Sequence, residues 1–109
     1  MGDFKPQELA NTAWAYATAG QMNASLFAAL ASAAQHRIGD FKPQELANTA
    51  WAFATAGQED VSLFAALATA AQRCMGDFKP QELANTAWAF ATVGKADAKL
   101  FVALVRYAS

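Results

Sequence analysis

A chain of 109 residues that is 55% hydrophobic and 16% charged is long enough for a core and too apolar to be disordered. Its net charge of −1 and pI of about 5.7 lack the basic signature of a nucleic-acid domain, and no DNA partner is expected. The single cysteine, Cys74, excludes an internal disulfide or a cysteine metal cluster, and no apolar run reaches the ~20 residues of a membrane span.

The dominant feature is repetition. The stretch GDFKPQELANTAWA begins at Gly2, Gly39 and Gly76, a fixed period of 37 residues. Periods of about 20–50 residues mark stacked repeat architectures. Units at residues 2–38, 39–75 and 76–109 form one array, the last unit being shorter. The N-terminus enters the repeat directly, without the basic and apolar regions of a signal peptide.

In chain order, Pro6 opens the first predicted helix, because a missing N–H costs nothing at the first helical position. Glu8 places a carboxylate at the positive end of the helix dipole. Residues 6–19 are all helix-compatible, and Gly20 supplies the stop. Asn23 then caps a second helix over 24–36, and Asp60 and Asp97 hold the same slot in the later units. Each unit is therefore a helical hairpin. Leu9, Ala13 and Tyr16 line one apolar stripe of the first helix, and Leu26, Leu30 and Ala33 one stripe of the second. Trp14, Trp51 and Trp88 are expected in the core with them.

One hairpin cannot bury these stripes, whereas stacked hairpins bury them against each other. The expected fold is all-α: an α-solenoid of three hairpins and six helices in a right-handed superhelical stack. In the last helix Val102, Val105 and Tyr107 replace Ala65, Ala68 and Ala70. That apolar change marks a partner interface, with self-association through this helix as one use.

The unit resembles the alanine-rich heptatricopeptide and octotricopeptide repeats. The resemblance rests on Pro6-Gln7-Glu8, the LANTAWA run of residues 9–15, and the LFAAL run of residues 26–30. Leu9 stands where the octotricopeptide signature has Trp, so the 37-residue relatives fit better. The resemblance implies an organellar setting, chloroplast or mitochondrion, and binding to RNA or to an assembly such as a ribosome.

The candidate binding residues lie on the first helices. Gln7, Gln44 and Gln81, with Asn11, Asn48 and Asn85, offer amides at each unit. One reading presents them to successive bases of single-stranded RNA. The other makes Asn11 and its equivalents a hydrogen-bond ladder between units. Lys5, Lys42 and Lys79 precede the helix starts, where phosphates bind, yet Asp3, Asp40 and Asp77 stand two residues away. His36 and Cys74 do not recur between units, so neither marks a site. No catalytic constellation, phosphate loop or cofactor motif is present, which leaves a non-catalytic binder of RNA or of a protein complex.

Overall fold

The computed structural model describes residues 5–21 and 23–94, and every regular element in them is helical. The α-helices are α1 (Pro6–Thr18), α2 (Ala24–His36), α3 (Pro43–Thr55), α4 (Val61–Arg73) and α5 (Pro80–Thr92). Short 3-10 turns at Ile38–Asp40 and Met75–Asp77 lead into α3 and α5. Asp97, Val102, Val105 and Tyr107, with the last predicted helix, lie outside the described residues.

The helix starts repeat because their chemistry repeats. Lys5, Lys42 and Lys79 are extended, with ψ of 158°, 164° and 158°, and proline follows each as the first helical residue. The carboxylates of Glu8, Glu45 and Glu82 reach back and accept from the backbone N–H of those lysines at 2.8, 2.9 and 2.8 Å. Lysine has no acceptor to return the bond, so this is half of a capping box. Asn23 Oδ1 accepts from the Leu26 N–H at 3.0 Å, and Asp60 Oδ1 from the Leu63 N–H at 2.9 Å, capping α2 and α4 as their residue types predict.

The ends of α1 and α3 are equally regular. Gly20 and Gly57 take φ of 74° and 71°, in the left-handed region where glycine carries no Cβ strain. Gln21 N–H then donates to the Tyr16 carbonyl, and Gln58 N–H to that of Phe53, both at 2.9 Å. With Gly20 donating to Ala17, and Gly57 to Ala54, each end is a Schellman motif.

α1 lies along α3, and α3 along α5; these are the most extensive helix pairs, with α2 and α4 packed on the first helices. Alanine makes the close approach possible. On α3, Ala47, Ala50 and Ala54 are buried on one flank, and Thr49, Ala52, Phe53 and the C-cap Ala56 on the other. Larger side chains fill the layer between first and second helices: Phe27 packs on Phe53, and Phe64 on Phe90.

Candidate functional site

Buried on both flanks and on its inner side, α3 keeps one stripe uncovered, and α1 and α5 carry the same stripe. On α1 that stripe is Gln7, Asn11, Trp14 and Thr18, all exposed. Their spacings of four, three and four residues hold them on one face at 3.6 residues per turn. Gln44, Asn48, Trp51 and Thr55 occupy the same stripe of α3, and Gln81, Asn85, Trp88 and Thr92 that of α5. The structure thus brings all six predicted amides onto one face.

It also corrects two expectations. Two of the three tryptophans are not core: Trp14 and Trp88 are 46% and 48% exposed, whereas Trp51 between them is half-buried and packs against the core. Size and alanine-rich surroundings favour the core, but the register puts all three on the polar stripe. Nor do the asparagines form a ladder between units. Asn11 is exposed, Asn48 and Asn85 are half-buried, and none makes a side-chain hydrogen bond among the described residues.

The tryptophans do form a ladder of their own. Trp14 and Trp51 have ring centroids 6.0 Å apart with planes tilted by 31°; for Trp51 and Trp88 the values are 6.5 Å and 32°. These separations lie in the range of aromatic pairs in contact. A flat ring inserted between two parallel rings needs about 7 Å, twice a carbon contact distance of about 3.5 Å. At these separations no flat ring fits between the rungs, and only the outer faces of the ridge are open to one. Thr18 Oγ1 is tied to the Trp14 carbonyl at 2.7 Å, which holds the edge of the stripe in place.

Lys5, Lys42 and Lys79 stand at one end of the stripes. All three are exposed and make no ion pair among the described residues. Nine residues separate Lys5 from Trp14, about 13 Å along a helix axis at 1.5 Å per residue. The neighbouring carboxylates are partly committed elsewhere. Glu8, Glu45 and Glu82 cap their helices, and Asp40 pairs with Arg37, Nε to Oδ2 3.4 Å. Between the lysine end and Thr18 the stripe carries no charge at all.

Other features offer less. An open cleft of about 180 Å³ lies where the start of α2 meets the turn between α3 and α4, floored by Phe27 and Phe53 and rimmed by Glu59 and Asp60. That is small beside the roughly 300–1,000 Å³ of ligand pockets, and Asp60 is occupied as a cap. His36 is exposed. Cys74 Sγ donates to the Ala70 carbonyl at 3.4 Å, and burial, then the charge of Asp77, raises its thiol pKa above the ordinary 9.0. No group of three or more His, Cys, Asp or Glu gathers among the described residues. None of their helices is long and apolar enough to cross a membrane.

Fold and face together define an all-α chain of repeated helices that presents one open aromatic and amide surface. The chain belongs to the family described as "Protein of unknown function (DUF1601)", whose model matches residues 1–12, 13–49 and 62–86. The middle match is itself 37 residues long, the period of the sequence. No curated protein and no solved structure matches the chain.

Proposed function

We propose that the chain is a non-catalytic binding module that grips single-stranded RNA along the open face of its first helices. Its architecture in this reading is a right-handed α-solenoid of three units, residues 2–38, 39–75 and 76–109. The observation that carries the reading is the tryptophan ridge, on the same face as the amides of Gln7, Asn11 and their equivalents. Bases stack on exposed aromatics whatever their identity, and each stacked base is worth about 1–3 kcal/mol. Amides beside such a ridge read or orient base edges. The unpaired Lys5, Lys42 and Lys79 sit where helix N-termini also favour phosphate. Identical units imply a uniform tract as ligand, and the tricopeptide resemblance supplies the setting of organellar gene expression.

The test is titration of homopolymer RNAs, read by tryptophan fluorescence, at two salt concentrations. Three phosphate contacts on a single strand give a slope of about −2 in log K against log salt, or about 20-fold weaker binding between 50 and 200 mM. Trp51→Ala should weaken every homopolymer alike. No detectable binding to any homopolymer at low salt would sink the proposal.

A protein ligand is the second reading, favoured by the lack of charge along the middle of the face. It predicts binding that depends on Trp51 but neither on salt nor on Lys42.

A further inference from the structure

The chain shows twice what covers the flanks of its first helices. Thr49, Ala52 and Phe53 of α3 and its C-cap Ala56 are buried, as are Thr86, Ala89 and Phe90 of α5 and its C-cap Val93. The same slots of α1 hold Thr12, Ala15, Tyr16 and Ala19, three of them identical to their α3 counterparts. There Ala15, Tyr16 and Ala19 are exposed and Thr12 is half-buried. Tyr16 is 39% exposed, whereas Phe53 and Phe90 are each 1% exposed. Because this flank closes on α3 and α5 and opens on α1, it is the flank that receives a preceding unit.

The opposite flank behaves in reverse. Ala10, Ala13 and Ala17 of α1, and Ala47, Ala50 and Ala54 of α3, are buried. On α5 the same slots are Ala84 and Ala91, both exposed, and the half-buried Ala87. This flank receives the following unit. The aromatic slot is covered from the second helix of the preceding unit, Phe27 on Phe53 and Phe64 on Phe90; for the rest of the interface that α1 makes with α3, and α3 with α5, one molecule carries both halves uncovered.

We infer that a second copy of this chain stacks head to tail, the α5 flank of one molecule covering Thr12, Ala15 and Ala19 of the next, beside Tyr16. What identifies the occupant is continuity with the internal interface, whose residues recur on the open flanks. A tyrosine suits the receiving slot in both states: its ring packs as phenylalanine does, and its hydroxyl meets water when uncovered. The contact joins two different surfaces by translation along the stack, so it is heterologous and does not close on itself. It lies on α1 and α5. Stacking would carry the tryptophan ridge from Trp88 of one copy to Trp14 of the next. The proposal goes beyond RNA binding and stands or falls without it.

Sedimentation velocity over rising concentration tests it. The wild-type chain should grow in mass without halting at a dimer. A receiving-flank variant, Ala15→Glu with Tyr16→Glu, should be monomeric, and so should a donating-flank variant, Ala84→Glu with Ala91→Glu. Mixed in equal amounts, the two should form a dimer and nothing larger, because each retains the flank that the other has lost. Circular dichroism checks helicity, and the single changes Ala15→Arg and Ala91→Arg replace either double variant that loses it. A wild-type chain that stays monomeric at the highest concentration overturns the inference. So does either variant self-associating like wild type, or a mixture that stays monomeric.

Discussion

Phe27 meets Phe53 edge-on, with ring centroids 5.1 Å apart and planes at 88°, and Phe64 meets Phe90 at 5.1 Å and 85°. The pair joins the second helix of one unit to the first helix of the next, so it couples neighbouring hairpins as well as filling the core. Its near-identical geometry follows from near-identical sequence: the same residues at the same period find the same contact.

That contact makes the aromatic slots of the first helices unequal. Phe53→Ala should cost about 3–5 kcal/mol, from a large buried side chain and the cavity it leaves. Tyr16→Ala, at the same slot but uncovered, should cost about 1 kcal/mol or less in dilute protein. Urea melts of the two variants decide this. Equal losses would mean that α1 and α3 are covered alike, contrary to their burial.

The two kinds of glycine also separate. Gly57 sits at φ of +71° and a Cβ there would meet nothing within 4 Å, so Gly57→Ala pays only backbone strain, about 1–2 kcal/mol. Gly39 also has open space around it and no positive φ. Gly39→Ala should be neutral or stabilising by about 0.4–1 kcal/mol, through the unfolded chain. Thermal melts that rank the two the other way would contradict the Schellman assignment at Gly57.

Much of this was legible in the sequence because local chemistry decides it. Pro6, Gly20 and Asn23 mark helix ends by what their own backbone and side chains permit, with no knowledge of neighbours. The environment of Trp14 is harder to read, because it depends on which faces of α1 other helices take. The signal was nevertheless present: Trp14 falls three residues after Asn11 and four before Thr18, inside the polar stripe. The difference between Tyr16 and Phe53 was not legible from spacing, since it arises from stacking order and the sequence slots are equivalent.

Cys74 gives the chain a pH dependence at the alkaline end. Its thiol pKa is raised above 9.0, first by burial and then by Asp77, so the folded state holds the proton more tightly than the unfolded state. The resulting stability is fully present below pH 9.0 and is lost as pH rises through the folded pKa. Cys74→Ser should flatten that decline. Alkylation of the native thiol should remain slow at neutral pH, with its rate midpoint above that of a free cysteine peptide. A midpoint at or below the peptide value would contradict the burial of Sγ.

Thr49 and Thr86 are the same residue in the same slot of α3 and α5, each 2% exposed, yet their hydroxyls differ. Thr86 Oγ1 donates to the Glu82 carbonyl at 2.8 Å, while Thr49 Oγ1 is buried without a partner. Valine keeps the shape and the β-branch and deletes only the hydroxyl, so helix propensity changes little in either variant. Thr86→Val should therefore lose a hydrogen bond worth about 0.5–1.5 kcal/mol. Thr49→Val removes a desolvated hydroxyl that has nothing to pair with, and should be neutral or stabilise by about 1 kcal/mol. The two shifts are read from urea midpoints at constant m, which keeps the comparison free of changes in the unfolded state. Equal destabilisation of both variants would show that Thr49 finds a partner in solution.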